Sequence, residues 1–196
     1  MTDIKTAWEE LHRRIASCTK CELCSTRHNT VPGEGPTDSR VVIVGEGPGQ
    51  EEDESGRPFV GKAGRLLTDI LEKGGNIRRN SLYITNTVKC RPPENRNPKP
   101  EEISACRDFL EAQLLLLHPD IVVTMGNVPT QALLNTKNGI TSLRGQWIND
   151  WRGIKLFPMF HPSYLLRNDS KAPGSPKALT WQDVRELKAK IDELKN

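Results

Sequence analysis

The sequence predicts a three-layer α/β/α sandwich around a central, mostly parallel sheet of about four strands. Three observations carry this. Short, wholly apolar, β-branched runs recur along the chain, as expected of strands buried on both faces. Segments with apolar residues at helical spacing separate them. Two of the apolar runs end in polar, glycine- or proline-containing turns, the position where open α/β sheets bind ligands.

The elements follow in chain order. Ala7, Trp8, Leu11 and Ile15 share one helical face, so residues 3–16 read as an amphipathic helix. Residues 25–40 are turn-rich, with Pro32-Gly33-Glu34-Gly35-Pro36, and read as a connection. Val41-Val42-Ile43-Val44 is the first strand. Ala63, Leu66, Leu67, Ile70 and Leu71 mark a helix that Gly74-Gly75 stops. Leu82 to Thr87 is the second strand, and the proline-rich stretch from Arg91 to Pro100 leads into a helix over 101–117. Ile121 to Met125 is the third strand, turning at Gly126-Asn127 into a short helix through Leu134. Lys155 to Phe160 is the fourth, with Pro158 pointing to a sheet edge. Thr180 is expected to cap a last helix bearing Trp181, Val184, Leu187, Ile191 and Leu194, with Asp183 completing a capping box.

At 196 residues, with no internal repeat or low-complexity linker, the chain is expected to form one domain over 1–196. A net charge of +3 says little about partners, but six Lys/Arg against two Asp between Arg144 and Lys177 form a basic stretch around His161. No run is long enough to span a membrane. The Met1-Thr2-Asp3-Ile4-Lys5 start has no secretory apolar core. A cytoplasmic protein is expected, and few exposed apolar stretches suggest a monomer.

Two turns stand out as one pocket's walls: Gly45-Glu46-Gly47-Pro48-Gly49 after the first strand and His161-Pro162-Ser163-Tyr164-Leu165-Leu166 after the last. The glycine turn lacks the Gly-Lys-Ser/Thr ending of a P-loop and the spacing of a dinucleotide fingerprint, which argues against a nucleotide-binding protein. Cys18, Cys21, Cys90 and Cys106 make a four-thiolate set, with Cys24 as a fifth cysteine beside the Cys18-x2-Cys21 pair. In a reducing compartment such cysteines point to metal rather than disulfides. Their spacing is compatible with zinc or with an iron–sulfur cluster.

The ordered combination resembles the family 4 uracil-DNA glycosylases, the iron–sulfur branch of that superfamily. The resemblance rests on Cys18-Thr19-Lys20-Cys21, Val31-Pro32-Gly33-Glu34-Gly35, Gly45-Glu46-Gly47-Pro48-Gly49 with Glu51-Glu52-Asp53, and Gly56-Arg57-Pro58-Phe59-Val60-Gly61. It continues through Thr85-Asn86-Thr87-Val88-Lys89-Cys90-Arg91-Pro92-Pro93, Asn95-Arg96, Cys106 and the His161 turn. It implies a [4Fe–4S] cluster on Cys18, Cys21, Cys90 and Cys106, with Cys24 outside the set. It implies excision of uracil from single- or double-stranded DNA, leaving an abasic site, with no lyase step.

The resemblance also distributes roles. Phe59 would stack on a flipped uracil, its flanking Pro58, Gly56 and Gly61 favouring an exposed loop. Asn86 would pair with O4 and N3–H of the base. Glu52 would crowd the C5 edge against thymine, while Glu51, Asp53 and Glu54 are expected to be solvated. His161 would donate to O2 of the leaving base. Glu46 would position water, with Gly47 close to the base, although Glu46 and Glu52 are both available carboxylates. Ser163 would contact a phosphate. Tyr164, Leu165 and Leu166 would wedge into the duplex, and Arg167, Lys89 and Arg91 (with Lys171) would meet the backbone. A cluster-containing nucleic-acid-binding or redox module without excision remains the competing reading.

Overall fold

The computed structural model describes residues 3–194, apart from the side chains at 150 and 151; Met1 and Thr2 of the N-terminal segment lie outside the described residues. A five-stranded sheet organises the chain in the order β2-β1-β3-β5-β4. The strands are β1 (Val41–Gly45), β2 (Tyr83–Asn86), β3 (Ile121–Met125), β4 (Ile148–Trp151) and β5 (Ile154–Met159). β2, β1, β3 and β5 run parallel, and β4 joins β5 antiparallel.

Side-chain alternation divides the core between the two faces of this sheet. Val41, Ile43, Ile121, Val123, Met125, Phe157 and Met159 face one side. There they meet Leu67 of α3 (Lys62–Asp69), Leu165 of α7 (Pro162–Arg167), and Val184 and Leu187 of α8 (Pro176–Glu193). Val42, Val44, Tyr83, Val122 and Leu156 face the other. They meet Trp8, Leu11 and Ile15 of α1 (Ile4–Ala16), Phe109, Leu110 and Leu114 of α4 (Pro100–Leu117), and Leu133 of α5 (Asn127–Leu134). Each fully buried aliphatic or aromatic side chain contributes about 1.5–3 kcal/mol, so both outer layers are fixed by the same strands. The shorter helices α2 (Gln50–Ser55) and α6 (Ile140–Leu143) lie beyond the ends of β1 and α5 in sequence.

The α/β/α class therefore holds, with five strands instead of four. β4 carries polar Asn149 inside a short segment and sits at the antiparallel edge, so it leaves no apolar run to read. β5 is not an edge strand, yet Pro158 behaves as though it were. The β4 register reaches only Leu156, and past it the Pro158 carbonyl accepts from Gly145 N–H at 2.9 Å. The last helix begins earlier than expected. Ser175 caps it by accepting from Ala178 N–H, and Thr180 lies inside, its Oγ1 donating to the Pro176 carbonyl at 2.8 Å. Asp183 completes no capping box; it forms a buried ion pair with Arg144.

Candidate functional site

The carboxyl ends of β1, β2, β3 and β5 open onto one cleft of about 630 Å³, within the usual range for small-molecule pockets. β1 pairs with β2 on one side and β3 on the other, so the chain crosses over at this point, where α/β sheets leave a crevice. Nine of the expected site residues line it: Glu46, Gly47, Glu52, Phe59, Asn86, His161, Ser163, Tyr164 and Arg167.

Gly45 decides how the cleft is floored. A Cβ there would lie 2.4 Å from Asn86 Oδ1 and 2.5 Å from Phe59 Cζ, so only glycine lets both side chains close over the end of β1. Asn86 is 1% exposed, and its Oδ1 is buried without a hydrogen-bond partner among the described residues. An unpaired buried carbonyl costs about 1–3 kcal/mol, which a donor on a ligand offsets. Phe59 is 6% exposed rather than loop-exposed as expected. Its backbone sits at φ +51, strained for an aromatic residue, and its ring centroid lies 5.9 Å from that of His161.

His161 is the N-cap of α7. Its Nδ1 accepts from Ser163 N–H at 3.1 Å and lies 2.8 Å from Ser163 Oγ. Burial, with the nearby Arg167 charge, pushes the imidazole down to about 4, so it is neutral at physiological pH. With Nδ1 accepting, the ring proton resides on Nε2, a donor.

The two carboxylates in the cleft differ sharply. Glu52 accepts from Gly49 N–H at 3.1 Å and from Val60 and Gly61 N–H, both at 2.8 Å. It clamps two loops together and is not free to activate water, which corrects its expected catalytic use. Among the described residues the Glu46 carboxylate has no hydrogen bond or ion pair, and burial raises its pKa above the ordinary 4.5. Asp53, expected in solvent, is 1% exposed and accepts from His28 and Asn29 N–H.

Two expected DNA contacts are overturned. Lys89 is 1% exposed. Its Nζ donates to Thr85 Oγ1, the Asn86 carbonyl and Gln113 Oε1 at 2.7, 2.6 and 2.7 Å, and burial lowers its pKa to about 8. Leu165 is 1% exposed and belongs to the core, because α7 turns that face onto the sheet. Tyr164 and Leu166 are exposed at 38% and 46%. Arg91 lies outside the cleft lining, its Nε donating to Asn95 Oδ1 at 2.8 Å. The lining also includes Asn95, Arg96, Asn127 and Phe160, which sequence reasoning did not assign to the pocket. The signals were present without a role attached: Asn95-Arg96 belongs to the resembling motifs, and Asn127 and Phe160 lie at the ends of the third and fourth strands.

On the opposite flank of the 86–90 segment, Cys18, Cys21, Cys24, Cys90 and Cys106 line a second, smaller pocket. All five are free thiols. Arg27 Nη1 donates to Cys90 Sγ at 3.2 Å, Lys89 N–H to Cys106 Sγ at 3.3 Å and Lys20 N–H to Cys18 Sγ at 3.5 Å. Burial raises Cys21 and Cys106, and pushes Cys90 up to about 11. Among the described residues no three His, Cys, Asp or Glu ligands stand close enough to hold a single ion. Arg96, in the cleft lining, forms a bidentate pair with Glu102, in the cysteine-pocket lining, at 2.9 and 2.6 Å.

Comparison with known proteins agrees with this architecture. The family model described as the uracil DNA glycosylase superfamily matches residues 32–185. A type-4 uracil-DNA glycosylase of Thermotoga maritima is 47% identical over 184 residues, covering 93% of this chain and 94% of the relative. One from Sulfurisphaera tokodaii is 41% identical over 188 residues, covering 91% and 84%. A type-5 enzyme of Pyrobaculum aerophilum is 26% identical over 196 residues, covering 84% and 86%. The cleft at the strand ends, the cysteine pocket behind it and these matches over nearly the whole chain have one explanation: the chain belongs to the uracil-DNA glycosylase superfamily, in its type-4 branch.

Proposed function

We propose that this chain is a monofunctional uracil-DNA glycosylase that flips uracil out of single- or double-stranded DNA and hydrolyses its N-glycosidic bond. The observation that carries the reading is one cleft holding an unpartnered amide oxygen, an aromatic ring and a neutral imidazole donor. Extrusion costs about a few kcal/mol of stacking, and stacking on Phe59 returns part of it. Asn86 Oδ1 accepts from uracil N3–H and its Nδ2 donates to O4; cytosine presents the reverse edge and leaves both groups unpaired. Glu52, held by three backbone donors, is a fixed wall suited to crowding a C5 methyl.

Hydrolysis breaks the C1′–N1 bond with its electron pair leaving on uracil. His161 Nε2–H donates to O2, where the negative charge gathers, without giving up its proton. Water adds to C1′, and Glu46, the carboxylate without a partner, orients it and takes its proton. Ser163 fixes the imidazole through Nδ1 and is also placed to meet a flanking phosphate. Tyr164 and Leu166 form the wedge that fills the vacated stack, with Arg167 at the cleft edge for the phosphodiester backbone and Arg91 as a further backbone contact.

The cysteine pocket suits a [4Fe–4S] cluster on Cys18, Cys21, Cys90 and Cys106. Its donors are soft, N–H groups already point at three sulfurs, and burial raises the Cys21, Cys90 and Cys106 thiols, which metal charge would offset. When bound, the cluster supplies a covalent tie between the N-terminal segment, the exit of β2 and α4. A single catalytic domain with this N-terminal cluster segment, monomeric and cytoplasmic, is the organisation we infer. No helix among the described residues is long and apolar enough to cross a membrane.

Incubation with a uracil-containing oligonucleotide followed by alkali should break the strand at uracil, and His161→Ala should slow single-turnover excision about a hundredfold or more with melting unchanged. An unbroken strand with the wild-type protein rejects the reading. The pH profile separates the two polar groups. Excision requires ionised Glu46, so it rises with pH through a pKa held above 4.5 by burial. Glu46→Gln should lower the rate about a hundredfold and flatten that limb. His161, already neutral above about 4, sets the plateau instead, and its replacement should leave the limb where it is.

Leu165→Ala should cost about 2–5 kcal/mol of stability as a cavity in the core. Leu166→Ala should leave melting alone and slow excision from duplex more than from single strands. Equal melting of the two variants contradicts this division. Cys90→Ser should lose iron and visible absorbance and melt earlier; unchanged iron content and melting would remove the cluster assignment.

A further inference from the structure

The segments Gly33-Glu34-Gly35 and Gly56-Arg57-Pro58 carry no role in the chemistry above, yet they meet at one guanidinium. Arg79, only 16% exposed at its side chain, stands in the turn before β2. Its Nη1 donates to the Phe59 carbonyl at 2.9 Å and its Nη2 to the Pro58 carbonyl at 2.7 Å. The same Nη2 reaches Glu34 Oε1 at 3.1 Å, and Nη1 reaches Thr68 Oγ1 at 3.3 Å. Arg57 Nε holds the other Glu34 oxygen at 2.8 Å. Glu34 is itself locked to the strand that presents Asn86. Its N–H donates to the Ile84 carbonyl at 2.9 Å, and Ile84 N–H donates back at 2.8 Å.

These bonds form a continuous path from β2 through Glu34 and Arg79 to the backbone of Phe59. We propose that Arg79, anchored by Glu34, is the positioning residue that holds Phe59 at the correct separation from Asn86 to receive the flipped base, an inference that rests on the glycosylase reading. Arg79 is outside the cleft lining and acts only through Phe59. The need for it is physical. A left-handed aromatic residue costs about 1–3 kcal/mol and persists only where its surroundings over-determine it. From the other side α3 presses on the same peptide: a Cβ on Gly64 would lie 1.9 Å from the Phe59 carbonyl oxygen, so that helix backs the loop directly. Two adjacent carbonyls and a carboxylate suit a planar fork of donors; an ammonium offers no such fork.

The chain has four phenylalanines, so labelling with 4-fluorophenylalanine gives four ¹⁹F resonances, with Phe59 identified by its loss in Phe59→Leu. In Arg79→Gln the Phe59 resonance should shift and broaden while those of Phe109, Phe157 and Phe160 hold. Single-turnover uracil excision should fall about tenfold or more. Arg79→Lys should recover only part of the rate, and Glu34→Gln should move the same resonance by less. A Phe59 resonance unmoved in both Arg79→Gln and Glu34→Gln overturns the proposal. So does a common shift of all four in Arg79→Gln with Phe59 unmoved in Glu34→Gln, which marks general loss of structure. Failure of the wild-type protein to excise uracil defeats the functional reading instead, and the resonances still decide the brace.

Discussion

The parallel pairing of β1 between β2 and β3 sets every other relation in the molecule. Its register places Gly45 opposite Asn86 and Val44 opposite Thr124. The chain therefore leaves three neighbouring strands at the same level, and β5 delivers His161 to that level through its register with β3. Residues far apart in sequence become the walls of one cleft because the hydrogen-bond ladders leave their strand ends no other alignment. The price of that alignment is crowding at Gly45, where any side chain would collide with both Asn86 and Phe59.

The cleft concentrates features that a merely stable fold would avoid. An amide oxygen is buried unpaired, an aromatic residue is held at positive φ, and one half-buried carboxylate has no side-chain partner among the described residues. The first two each cost on the order of 1–3 kcal/mol. Elsewhere the buried charged groups are paired: Lys89 has three acceptors, Glu52 three donors and Asp183 an arginine, and among the described residues Trp8 Nε1 is the one other buried polar side-chain atom without a partner. Strain and unsatisfied polarity brought together in one cavity suit a site that receives a flat, hydrogen-bonding ligand. They are borne by a core in which both sheet faces are covered.

Legibility in the sequence followed burial. β1 and β3 could be read as strands because both of their faces are covered, leaving continuous apolar runs; β4, half polar and at the edge, could not. The strand-end residues Glu46, Asn86 and His161 could be placed for the same reason, since a turn after a buried strand has only one location. What the sequence concealed was direction. Leu165 sits between residues that face outward and Lys89 between two buried ones, and nothing in their residue types reveals that the lysine turns inward with its neighbours and the leucine onto the core. Asp53 reads as part of a solvated acidic run, and Glu52 as a free site carboxylate, because the backbone N–H donors that satisfy both leave no mark in composition.

The cleft and the cysteine pocket share a wall. The segment leaving β2 presents Asn86 to one and Cys90 to the other, and Lys89 between them grips the Asn86 carbonyl from beneath. Farther along, Arg96 and Glu102 join the same two cavities by a bidentate pair. Backbone and ion pair thus link the cysteine side to the Asn86 amide, so that in the proposed reading rigidity supplied there reaches the amide without contact to the substrate. An amide must hold its two donor and acceptor positions within a few tenths of an ångström to tell uracil from cytosine. A wall tied through the proposed cluster would meet that demand at a point where β2 has one strand neighbour and, on its other edge, the single Glu34–Ile84 bridge.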